Sequence, residues 1–180
     1  PSRASPVRIA ACRGVMRPRP EALAVLAGLA LTATALAQDL KPKDLVEFAL
    51  WLHDCVYHAE RADNEERSAD AAAMIAGLLG CSPEFNARVR DCIMATRHSV
   101  PPGRGDTAIV ADLDLSILAS PPAEYDAYRK AIRAEFAFAP DNQFIPGRIA
   151  FIHRMLDKDH IFATPHFRSE MESIARDNLQ

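Results

Sequence analysis

From Lys43 to the end of the chain, apolar residues recur at helical spacing and almost nowhere in alternation. A period near 3.6 lays an apolar stripe along one side of a helix, whereas a half-buried strand needs a period of two. Stripes of this kind are buried helix against helix, so the expected fold class is all-α, a helical bundle. Hydrophobic residues make up 49% of the chain and charged ones 25%, which is enough for a core and argues against disorder.

Punctuation places the helices. Asp44 to Tyr57 is apolar nearly all round and predicts a central helix. Asn64 to Leu79 follows, capped by Asp63 or Asn64, with Glu65 and Glu66 in the first turn where the macrodipole favours acids. Its apolar face is Ala69, Ala72, Ala73, Ala76 and Leu79, and Gly80 is the terminator. Ser82 caps a helix opened by Pro83 and running to about His98. Pro101, Pro102, Gly103 and Gly105 force a loop. Ala108 to Leu118 is ambiguous: Leu113, Leu115 and Ile117 alternate as in a strand, but no partner strand is evident, so a short buried helix is expected. Pro121 or Pro122 opens a helix to about Phe138, bearing Tyr125, Tyr128, Ile132 and Phe136. Two more follow, Asn142 to Lys158 and Pro165 to Leu179. No internal repeat is present.

Residues 1–43 form an atypical N-terminal segment ahead of a helical domain over 44–180. Arg17 and Arg19 precede an apolar run that ends in Ala35-Leu36-Ala37, the layout of a secretory signal. Ala22 to Ala37 is short for a membrane span. The same letters also read as an Ala/Leu-rich core helix, or as a mis-read start. Export with cleavage near Ala37 would leave Cys55, Cys81 and Cys92, an odd number for an oxidising compartment, so a cytoplasmic location is the first expectation.

The net charge of −3 provides no global reason to bind nucleic acid or an anionic membrane. The four cysteines, Cys12 included, lack a CxxC spacing, which argues against a zinc ribbon. Small helical domains often pair, and a homodimer is compatible with the sequence without being demanded by it.

The chemistry concentrates at ALWLHDCVY, residues 49–57, where His53 and Asp54 stand side by side in an apolar stretch. An unpaired buried carboxylate costs several kcal/mol, roughly, and would normally protonate instead. A divalent metal resolves the cost, since imidazole and carboxylate suit first-row ions. DLDLSIL at 112–118 raises the same question, with Asp112 and Asp114 among Leu and Ile. His98 closes a helix in ATRH, where a surface residue favoured by the helix dipole is the simpler reading. His58, His153, His160 and His166 read as solvated.

These stretches fall in order with NEERSA, YDAYRKAIRAEF, GRIAFIHRML and ARDNL. The string, over about residues 44–180, closely resembles a bacterial family of predicted metal-dependent phosphohydrolases of the HD superfamily. The resemblance implies an HD-domain-like helical bundle around a divalent metal, which could be Mn, Fe, Co, Ni, Zn or Mg. It implies His53 and Asp54 as the ligand pair and Asp114 as the later ligand, with Asp112 supporting or alternating. Asp54 would also hold or deprotonate the attacking water, and Glu65 would support the metal's ligands as a nearby carboxylate or transfer protons. His98 would bind a second metal or the substrate phosphate, and Arg97, Arg133 and Arg148 would contact that phosphate, a guanidinium being able to do so bidentately; each Arg also has a plain structural reading as a salt bridge.

One departure accompanies the resemblance. The family's first His lies on the helix before ALWLHD, yet residues 1–52 contain no His, and the corresponding helix reads EALAVLAGLALTATAL. VRIAAC at 7–12 is similar to the end of that motif, with Arg8 where a His would stand. The expected activity is therefore metal-dependent hydrolysis of a phosphate ester, with nucleotides as a candidate substrate, impaired if the ligand is truly lost. The alternative is a non-catalytic HD scaffold that binds a nucleotide or a partner.

Overall fold

The structure, a computed structural model, describes residues 42–180. The signal-like run, Cys12 and Arg8 lie outside the described residues. Within them the chain is all-α, with no strand: α1 (Pro42–Leu52), α2 (Asn64–Leu78), α3 (Pro83–Ala95), α4 (Asp106–Leu115) with a 3₁₀ turn (Ser116–Ala119), α5 (Pro122–Glu135), α6 (Asp141–Leu156) and α7 (Pro165–Leu179). The ambiguous Leu113–Ile117 stretch is helical, as expected. No described helix is long and apolar enough to cross a membrane.

Local chemistry sets the helix ends. Ser82 and Thr164 each accept a bond from the third residue on, Phe85 N at 3.1 Å and Phe167 N at 3.4 Å, and a proline follows each cap. α2 stops at Gly80, whose φ of 76° lies in the left-handed region. Gly80 N–H donates to Gly77 O at 3.0 Å and Cys81 N–H to Ala76 O at 2.9 Å, the paired bonds of a Schellman motif.

The described chain divides into two compact units. The N-terminal unit comprises residues 42–58 and 63–111, and the C-terminal unit comprises 59–62 and 112–180. In the N-terminal unit, α1 buries Leu45, Ala49 and Leu52, spaced as one helix face. Against them stand Ala69 and Ala72 of α2 and Val89, Cys92 and Ile93 of α3. Alanines with no accessible surface let α2 and α3 approach closely. Phe48 meets Phe85 edge to face at 5.6 Å, pinning α1 to α3. α1 is not apolar all round: Trp51 is half exposed and Glu47 faces solvent.

The C-terminal unit has a larger-grained core of Leu115, Leu118, Tyr128, Ile132, Phe136, Phe151, Met155 and Phe162. Its connections are held by side chains of α7. Glu172 accepts from Ile161 N at 2.9 Å and Phe162 N at 3.2 Å. Arg176 donates to the carbonyls of Leu156 and Lys158 at 3.0 and 2.8 Å. Asn178 donates to the carbonyls of Leu118 and Ser120, both at 2.9 Å, closing the 3₁₀ turn onto α7.

If close approach of α2 to α3 depends on alanine, Ala72→Leu overpacks the N-terminal core. The expected cost is about 1–3 kcal/mol, read as a lower midpoint in urea unfolding with an unchanged slope; an unchanged midpoint would refute the packing account.

Candidate functional site around His53 and Asp54

His53 and Asp54 were expected inside a helix running to Tyr57, but α1 ends at Leu52 and both residues stand in the turn that follows. Cys55 N–H closes that turn on Leu52 O at 3.1 Å. The reason lies in α2. Ser68 Oγ accepts from Val56 N and donates to Val56 O, both at 3.1 Å. One turn earlier, Asn64 Oδ1 accepts from His58 N at 2.9 Å and Asn64 Nδ2 donates to His58 O at 3.0 Å. Asn64 is 5% exposed and Ser68 0%, so both side chains are withdrawn from water. These bonds replace the intrahelical partners that Val56 and His58 would otherwise require. The chain leaves the helix, and residues 53–58 become a pinned loop.

The pinning fixes the imidazole. His53 Nδ1 lies 2.7 Å from Leu50 O, and a carbonyl can only accept, so Nδ1 carries the proton. In the neutral ring, Nε2 then carries the lone pair, and it faces Asp54 Oδ2 at 3.8 Å. A carbonyl bond on the far nitrogen is how metal-ligating histidines are commonly oriented. The His53 side chain is 12% exposed and that of Asp54 31%, so both can be reached. As donors, an imidazole nitrogen beside a carboxylate fits a first-row divalent ion. Among the described residues, no group of three or more His, Cys, Asp or Glu side chains could hold a metal ion.

Glu65, in the first turn of α2, has its carboxyl pushed above the usual range, first by burial and then by the charge of Asp54, with Arg97 acting in the opposite direction. The negative charge of Asp54 is therefore felt at Glu65. Arg97, expected to contact phosphate, is ion-paired with Glu66; its Nε has no acceptor among the described residues. His98 is 9% exposed and adopts φ 51°, so its simpler reading as a surface residue at a helix end is overturned. A non-glycine residue in that region is uncommon, although His is among those enriched there.

Asp112 and Asp114 are both buried on α4, in the C-terminal unit. Two residues apart on a helix, they project about 200° apart. Asp112 is occupied: Ala163 N–H donates to Oδ1 at 2.6 Å and Thr164 N–H to Oδ2 at 2.8 Å, so it anchors the entry to α7. These bonds explain a buried carboxylate without a metal. Arg133 donates to Phe136 O at 2.9 Å and to Asp141 at 2.8 Å, which is the structural role. Arg148 packs over the rings of Phe151 and Tyr128. His58, His153, His160 and His166 are exposed, as expected. Cys92 is a core residue whose thiol is pushed up to about 12, chiefly by burial, and so is unreactive.

Sequence reading missed Asn64 and Ser68. The available signal was a buried Asn and a buried Ser at i and i+4 on the alanine face of a helix. Compared with known proteins, the chain matches no family model, no curated protein and no solved structure.

Two outcomes follow. Asp112→Ala leaves two amides without their acceptor and is expected to cost about 3 kcal/mol, measured by urea unfolding; a loss below about 1 kcal/mol would remove Asp112 as the anchor of α7. Because the folded state raises the Glu65 pKa, its ionised form opposes folding above that raised value, and the penalty fades as pH falls through the ordinary carboxylate range. Glu65→Gln is therefore expected to raise the melting temperature at pH 7.5 and to lose that advantage by about pH 4. An equal effect at both pH values would contradict the burial account.

Proposed function

We propose that the chain is an HD-type metal-dependent phosphohydrolase that cleaves a phosphate ester, with nucleotides the first substrate class to examine, and that it works in the cytoplasm. The supporting observation is the turn at 53–54: an imidazole whose tautomer is set by the Leu50 carbonyl, beside a partly exposed carboxylate, in a loop locked by Asn64 and Ser68. The ordered string of motifs supports the same reading. Cys55, Cys81 and Cys92 are all free thiols, which suits a reducing compartment.

A bound divalent ion would supply an acidified water and polarise a phosphoryl oxygen. His53 would donate Nε2 to it, because Nδ1 is committed to Leu50. Asp54 would hold the water and receive its proton. Glu65, with its raised proton affinity and electrostatic coupling to Asp54, would pass that proton on toward the leaving oxygen. Asn64 and Ser68 would act as positioning residues, since they fix the loop and not the reacting atoms. Arg97 would meet substrate only by leaving Glu66.

A second reading rests on the lack of histidine in residues 1–52. Without the family's first ligand, the same loop would serve a scaffold that binds a nucleotide or a partner without turnover.

Purified full-length protein is expected to carry close to one equivalent of divalent metal by mass spectrometry and to hydrolyse p-nitrophenyl phosphate. His53→Ala should lower metal content about tenfold or more, and Asp54→Asn should lower kcat/KM about a hundredfold or more; Asp114→Asn is the companion variant for the remaining carboxylate of the resemblance. Chelation should abolish turnover and metal return should restore it. Metal-free protein that still binds nucleotides would favour the scaffold.

A further inference from the structure

The C-terminal unit contains a cleft of about 420 Å³ between α5 and α6, lined by neither His53, Asp54 nor Glu65. That volume falls in the range of small-molecule sites. Four cations line it, Arg129, Lys130 and Arg133 from α5 and Arg148 from α6, against the single carboxylate of Asp126. The other wall is apolar, with Ile145 and Ile149 each close to half exposed.

The cations are unequally committed. Lys130 pairs with Asp126 at 2.6 Å, and Arg133 with Asp141 at 2.8 Å. Arg129 stands 3.9 Å from Asp126, beyond hydrogen-bond reach. Arg148 is the informative one. Its Nη1 and Nη2 are buried, yet neither has an acceptor among the described residues. Its guanidinium lies 4.8 Å above the Phe151 ring and 5.4 Å above Tyr128. Ring faces steady a cation but leave its N–H edge unsatisfied, and a buried N–H without an acceptor is costly. No cost of this kind falls on Arg133, whose donors meet carbonyls and a carboxylate.

We infer that the α5–α6 cleft binds a small organic anion, with its phosphate or carboxylate head on Arg148 and Arg129 and its apolar body against Ile145 and Ile149. A turn of the outer torsions of Arg148 brings its N–H edge to the head group, and Lys130 and Arg133 make the field at the mouth positive. This site does not depend on whether the chain hydrolyses a phosphate ester.

The test is calorimetric titration of the full chain with benzylphosphonate and, separately, with phenylacetate, using inorganic phosphate as the head-group control. Saturable binding is expected for at least one of the two, tighter than for phosphate alone, and weakening as salt rises. Arg148→Gln should weaken it about tenfold or more. The surface variant Arg129→Gln, which leaves the core intact, should weaken it severalfold, and His53→Ala should leave it unchanged. No saturable binding of either probe, binding no tighter than phosphate, binding indifferent to both arginine variants, or binding lost in His53→Ala would each overturn the inference. Loss of turnover in His53→Ala with cleft binding intact separates this site from the proposed hydrolase centre.

Discussion

A chain built only of helices leaves main-chain N–H and C=O groups unsatisfied wherever a helix ends, and each one buried from water needs a partner. In this protein, polar side chains of neighbouring helices supply those partners. Asn64 and Ser68 each grip both main-chain groups of one loop residue. Asp112 and Glu172 accept amides of the segment that leads into α7, and Asn178 donates to carbonyls of the 3₁₀ turn. The apolar cores hold the helices together, but these clamps determine where each helix stops and what its connection presents.

This division of labour bears on how polar motifs are read. Asp112 and Arg133 look like chemistry when met in the sequence, because charged residues in apolar stretches invite a catalytic account; Arg176 and Asn178 carry the same kind of side chain. In place, each is engaged with main chain. The residues that keep a plausible chemical role are those whose burial the clamps do not explain. His53 owes its orientation to a carbonyl and turns its other nitrogen toward Asp54. Burial raises the pKa of Glu65 above the usual carboxylate range. Arg148 has ring faces where acceptors would be expected.

The fold was largely legible because its signals are local. Ser82-Pro83, Thr164-Pro165 and Gly80 act on residues within one turn of themselves, and the observed caps lie at those letters. Ala69, Ala72 and Ala76 of the α2 stripe are buried, with Ala73 and Leu79 at its half-buried margin, and Tyr125, Tyr128, Ile132 and Phe136 of the α5 stripe are buried as their period requires. The site was legible in composition only. That His53 and Asp54 belong together followed from adjacency, but the end of α1 just before them was not visible, because apolar letters continue through Tyr57 and the groups that stop the helix lie on α2.

The sequence by itself determined that the described chain is helical, where most of its helices begin, and which faces are apolar, since propensity, capping and periodicity depend on neighbours within about four residues. Only the tertiary structure decided that α1 yields to a loop at His53, that Asp112 is an anchor, and that the Nη atoms of Arg148 are buried with no acceptor among the described residues. Asp112 meets amides 51 and 52 residues further along the chain. Partners at that separation are brought together by packing, and no local pattern encodes them.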